Sequence, residues 1–100
     1  MNTTLKPLTP PAIRQAMQTL EGWKRRGGSI ARTFQFKDFI EAMKYVNRIA
    51  RAAEKARHHP DVDIRWNRVT LTLTTHDAGG LTAKDFALAA LCNQLAMSPR

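Results

Sequence analysis

Hydrophobic and polar positions follow two rhythms along this chain, one near four residues and one of two. Residues 1–8 show little of either and are expected to form a loose arm ahead of a single domain over 9–100. Thr9 reads as a helix N-cap with Pro10 at the first helical position, where a missing N–H does no harm. Ile13, Met17 and Leu20 then recur at i, i+4 and i+7, the apolar face of a short helix that Gly22 is expected to end. Trp23–Arg26 and Ile30–Phe36 flank Gly27-Gly28-Ser29, a glycine turn suited to a hairpin. Ile30, Phe34 and Phe36 share strand parity and face the core; Arg32 shares it too and breaks the pattern. From residue 38 to about 58 runs the clearest helix, with Phe39, Met43, Val46, Ala50 and Ala53 as its core stripe. Pro60 ends it, because the residue before a proline disfavours the α region. Val62, Ile64 and Trp66 alternate with polar residues, as do Val69, Leu71 and Leu73 beyond a turn near Asn67-Arg68, which predicts a second hairpin. Gly79-Gly80 breaks the chain again, and a last helix starting near Thr82 buries Leu88, Leu91 and Leu95.

The element order is α-β-β-α-β-β-α. Hairpin-joined strands are antiparallel, so the expected architecture is an α+β two-layer sandwich, a four-stranded antiparallel sheet with three helices on one face. The opposite face would carry Thr70, Thr72 and Thr74, and a sheet face or edge of this kind is a natural subunit contact.

Composition narrows the function classes. One hundred residues suit one domain and rule out a multidomain enzyme. With 43% hydrophobic and 24% charged residues the chain is of globular composition. No apolar run approaches the ~20 residues of a membrane span, and the first residues lack a signal-peptide core, so export is not indicated. A single cysteine, Cys92, allows no internal disulfide and fits a reducing, cytoplasmic setting. The odd quantity is the net charge of +8, which taken alone suggests nucleic acid or an acidic surface. Lys24-Arg25-Arg26 falls in a hairpin, and Lys44, Arg48, Arg51 and Lys55 follow a helical rhythm, yet no nucleic-acid motif or row of stacking aromatics accompanies them. A charged solvent face is the commoner reading; a regulatory binding module with a basic surface is the alternative.

The chemistry-bearing residues gather in one stretch. His58, His59 and His76 lie within 19 residues, amid Glu54, Asp61, Asp63, Asp77 and Asp85. Histidine titrates nearest neutrality, so it suits proton transfer without a cofactor. The partial negative charge of a helix C-terminus stabilises imidazolium at His58 and His59, and Glu54, four residues before His58, shares its face if the last turn is regular. Each feature also has a plainer reading. His58-His59-Pro60 works as a cationic helix end followed by a stop, and Thr82-x-x-Asp85 matches a loose capping box. His76 reads equally as a loop histidine and Trp66 as a packed strand aromatic. A metal site is disfavoured, since adjacent helical residues diverge by about 100° and the metal-ligand spacings are missing. Cys92, four residues after Leu88, reads as a small core residue rather than a nucleophile.

Taken together, Glu54, three residues, His58-His59-Pro60, five residues, Trp66, nine residues, His76, eight residues and Asp85 resemble the signature of the pterin-4a-carbinolamine dehydratases. Seven typed positions over 32 residues are far more specific than any one of them, and the element order extends the resemblance over roughly residues 9–97. The resemblance implies dehydration of 4a-hydroxytetrahydropterin to quinonoid dihydropterin, the step that recycles pterin after aromatic amino acid hydroxylases have used it. It implies no metal and no organic cofactor, and a homodimer or homotetramer. Residue by residue, His58 and His76 are similar to the family's general acid–base pair, His59 to the histidine that holds the pterin, and Asp85 to a carboxylate supporting the site. Glu54, Pro60 and Trp66 match further signature positions, Glu54 as an orienting carboxylate and Trp66 as a pocket wall. Val62 departs from the pattern, standing where many relatives carry an aromatic residue.

Overall fold

The computed structural model describes residues 6–97. Its elements are α1 (Pro10–Gln18), β1 (Lys24–Arg26), β2 (Ser29–Gln35), α2 (Phe39–Ala56), β3 (Asp61–Arg65), β4 (Arg68–Leu73) and α3 (Ala83–Met97), with a single 3-10 turn at His76–Ala78. The four strands form one antiparallel sheet in the order β1-β2-β4-β3. The three helices lie on one face, so the α+β sandwich expected from the sequence is the fold. Of the expected N-terminal arm, residues 1–5 lie outside the described residues; the Leu8 N–H donates to Leu81 O at 2.8 Å and its side chain packs on the core.

Local signals explain most boundaries. Thr9 caps α1, its Oγ1 accepting the Ala12 N–H at 3.4 Å, with Pro10 at the first position. The helix stops at Gln18, before Gly22, because the Thr19 and Leu20 N–H groups bond back to Ala16 and Met17 in a tightened last turn. Gly22 then carries φ +86, and a Cβ there would lie 2.5 Å from Arg32 Nε. Asp38 caps α2 by accepting the Glu41 N–H at 2.9 Å.

The core contains Ile30, Phe34, Val69, Leu71 and Leu73 from the central strands, packed under Ile13, Tyr45, Ile49, Leu88 and Cys92. The expected stripe on α2 is rotated: Ala42, Tyr45, Ile49 and Ala53 are buried, whereas Phe39 is 46% exposed and Ala50 faces out. The apolar sector of α2 is wide enough for either line, and Tyr45 decides it, because its hydroxyl donates to Cys92 O at 2.9 Å. Arg32 keeps core parity yet is not a misfit. Its guanidinium lies 4.5 Å from the Phe34 ring centroid and donates to Glu21 O and Asn93 Oδ1, both at 2.8 Å. Arg48 is likewise drawn off the expected basic helix face, donating to Leu95 O at 3.3 Å.

On β3 the alternation holds but burial does not. Val62 pairs with Leu71 and Ile64 with Val69, which puts both on the helix side of the sheet. β3 is an edge strand, however, and the helices leave Val62 42% and Ile64 36% exposed. Trp66 belongs to the turn rather than the strand, at φ 52, so the turn falls one residue earlier than expected.

Candidate active site

The C-terminus of α2 decides where two histidines go. Arg57 sits in the left-handed region at φ 55, ψ 41, and the His58 N–H reaches back to Ala53 O at 3.1 Å. The helix therefore ends before His58, and the regular last turn that would join His58 to Glu54 does not exist. His58 turns instead towards α3, placing Nε2 2.5 Å from Asp85 Oδ1. His59 swings back, with Nε2 2.5 Å from Glu54 Oε2 in an exposed pair. Pro60 then leads directly into β3.

Asp85 is fully buried and completely partnered. Its Oδ2 accepts the Thr82 N–H at 2.9 Å and the Thr75 hydroxyl at 2.8 Å. The first bond is half of a capping box at the start of α3; the Thr82 hydroxyl accepts the Lys84 N–H at 3.2 Å instead of that of Asp85. The capping reading and the site reading of Asp85 thus describe the same side chain.

His76 opens the 3-10 turn and is exposed. It lines a cleft of about 490 Å³ with Asp61, Thr72, Thr74 and the Gly79-Gly80 backbone. The register Asp61↔Thr72 brings the start of β3, and so the His59-Pro60 segment, beside this cleft. His58 lines a different, apolar cavity of about 260 Å³ with Lys84, Leu88 and Leu91. The two are tied together at Thr75, whose side chain holds Asp85 and whose carbonyl accepts the Ala78 and Gly80 N–H groups that form the His76 turn. Trp66 stands apart. It is 66% exposed at the far end of β3, roughly 16 Å along the strand from Asp61 at about 3.3 Å per residue.

Among the described residues, no group of three or more His, Cys, Asp or Glu side chains is placed to hold a metal ion. Cys92 is buried, and burial pushes its thiol up to about 12, against a smaller opposing effect of the Tyr45 hydroxyl. A thiol so held is no nucleophile. The arrangement that remains is two histidine–carboxylate pairs and an exposed third histidine, a set suited to giving and taking protons. The sequence places Thr75 and Thr82 in the run flanking His76 that also has the family's character, but gives Thr75 no role of its own and Thr82 only that of a cap, since nothing in a one-dimensional pattern says which hydroxyls meet a buried carboxylate.

The sequence pattern of the family described as Pterin 4 alpha carbinolamine dehydratase matches residues 6–95. A protein of Koribacter versatilis, provisionally named a pterin-4-alpha-carbinolamine dehydratase, is 50% identical over 90 residues, covering 90% of this chain and 96% of its own. One of Thermomicrobium roseum with the same provisional name is 53% identical over 89 residues, covering 89% and 96%. The crystal structure of a transcriptional coactivator/pterin dehydratase from Brucella melitensis superposes with a TM-score of 0.88 at 36% identity, over 91% of this chain and 99% of that one. A pterin dehydratase-like protein identified as a RuBisCO assembly factor shares the fold at TM-score 0.63 and 20% identity, over 77% and 89% of the two chains.

Proposed function

The chain belongs to the pterin-4a-carbinolamine dehydratase family, and from that premise we propose that it is a cytoplasmic hydro-lyase acting on a 4a-hydroxytetrahydropterin. In the reaction the C4a–O bond breaks as the lone pair of the neighbouring ring nitrogen enters the ring. The leaving oxygen takes a proton and departs as water, and a ring proton is given up to leave the quinonoid dihydropterin. His58 and His76 divide the proton donation and acceptance. His59, oriented by Glu54, holds the pterin beside Pro60, and Asp85 supports His58. Trp66, remote from the histidines within one chain, enters the pocket wall only where copies associate, and we propose a homodimer or homotetramer. The substrate links the protein functionally to an aromatic amino acid hydroxylase.

The observation that carries this reading is the pairing of two signature histidines with the two signature carboxylates, His58 with Asp85 and His59 with Glu54. Positioned acid–base groups contribute about 10²–10⁴-fold, a scale that suits a dehydration which also proceeds unaided. The test is stopped-flow decay of the carbinolamine with purified protein and no added metal. Accelerated decay is expected; decay at the uncatalysed rate overturns the proposal.

A further inference from the structure

The two oxygens of Asp85 have different partners, and a string of hydroxyls stands behind one of them. Oδ2 receives the Thr75 hydroxyl at 2.8 Å and the Thr82 N–H at 2.9 Å, while Oδ1 faces His58 Nε2. Thr75 Oγ1 also lies 2.8 Å from Thr82 Oγ1, and that oxygen accepts the Lys84 N–H at 3.2 Å. A hydroxyl owns one proton. Thr75 gives its proton to the carboxylate, so Thr82 is the donor between the two threonines. Each hydrogen from the Lys84 amide onward therefore points towards Asp85, and all three side chains are buried, so water does not compete for them.

Two donors converge on Oδ2, an arrangement that suits an ionised carboxylate. An ionised carboxylate carries no hydrogen at either oxygen, so the hydrogen shared between Oδ1 and the imidazole then belongs to nitrogen. A neutral imidazole carries one N–H, and the bond made by one ring nitrogen sets the state of the other. We infer that Thr75, aligned by Thr82, is a positioning residue that holds Asp85 as an acceptor at both oxygens, thereby keeping the His58 proton on Nε2 and leaving Nδ1 as the nitrogen that exchanges protons with a ligand. The consequence for turnover rests on the acid–base role proposed above for His58; the tautomer does not.

The experiment uses the full chain labelled with ¹⁵N-histidine and two-bond ¹H–¹⁵N correlation, alongside steady-state kinetics on the carbinolamine. In the wild-type protein the neutral His58 ring is expected as the Nε2–H tautomer. Thr75→Val keeps the shape and removes the donor. It is expected to mix the two tautomers and to lower kcat roughly ten- to hundredfold, the worth of one hydrogen bond to a charged group, with KM unchanged. Thr75→Ser restores both, an outcome that loss of packing alone would not produce. Thr82→Val, which keeps the backbone donor to Asp85, shifts the tautomer the same way by less and serves if Thr75→Val does not fold. An Nδ1–H ring in the wild-type protein, or an unaltered tautomer in the foldable threonine variants, overturns the inference. A wild-type protein without dehydratase turnover would instead remove the acid–base role, and the nitrogen signals would still decide the tautomer.

Discussion

Asp85 closes the first turn of α3 with one oxygen and meets His58 with the other. Replacing it with Asn puts an amide N–H against a group that itself donates. Leaving buried groups mispaired costs about 1–3 kcal/mol, so Asp85→Asn is expected to lower both the urea midpoint and turnover. The histidines differ in the same respect. His76 is exposed, so His76→Ala should reduce kcat at least about tenfold while leaving the thermal midpoint in place. His58→Ala should reduce both, because it strands a buried carboxylate; near-normal kcat in the two variants would refute their role. At Cys92 the consequence is one of pH. Its folded value is raised from 9.0 to about 12 by burial, so the fold keeps a proton that the unfolded chain gives up. Its contribution to stability is complete below pH about 9 and is lost as pH rises through about 12. Tyr45, raised further by burial and by the neighbouring Cys92, acts in the same direction. Urea midpoints measured across that range should fall for the wild type and fall less steeply for Cys92→Ala.

At the scale of elements, the end of α2 is the decisive joint. Arg57 holds a left-handed conformation that glycine adopts freely and that strains other residues by roughly 1–2 kcal/mol. Arg57→Gly should therefore raise the unfolding free energy by about 1 kcal/mol, read as a higher urea midpoint at unchanged m-value, with turnover retained. A fall in the midpoint would show that the Arg57 side chain contributes more than its backbone strain removes. The same joint shows how far pattern reading reaches. His-His-Pro announces a helix end, yet Glu54 lies four residues from His58 on paper and partners His59 in the fold. The difference is one backbone residue at positive φ, and arginine does not advertise that conformation. β3 teaches the complementary point. Its alternation holds for Val62 and Ile64, though not for Trp66, and alternation states which side chains share a face and not whether a helix covers that face.

Across the whole molecule, exposed Val62, Ile64 and Trp66 follow one edge strand, an edge that proteins usually cover or pair. If copies of the chain associate there, light scattering at micromolar concentration gives a mass above the monomer, and Val62→Lys with Ile64→Lys reduces it to one chain without unfolding. A strictly monomeric wild type rejects the homo-oligomer. The net charge of +8 is distributed around the chemistry rather than in it. Five of the eight acidic residues fall between 54 and 85, and of these Glu54, Asp61 and Asp85 meet or adjoin the histidines. Lys24, Arg25 and Arg26 lie exposed on the opposite edge strand. Were a nucleic-acid partner the purpose of that surface, affinity for duplex DNA would fall steeply with salt and exceed that of other basic proteins.

Element order, sheet parity, the capping residues and the typed histidine–carboxylate spacing are properties of residues near one another in the chain, so periodicity and local chemistry determined them from the sequence alone. Which apolar line of α2 is buried, which histidine Asp85 holds and which threonines stand behind it depend on groups as much as 47 residues apart. Such contacts form only when the layers pack. Burial removes competing water and makes each remaining hydrogen bond obligatory, and tertiary structure is where that selection is made.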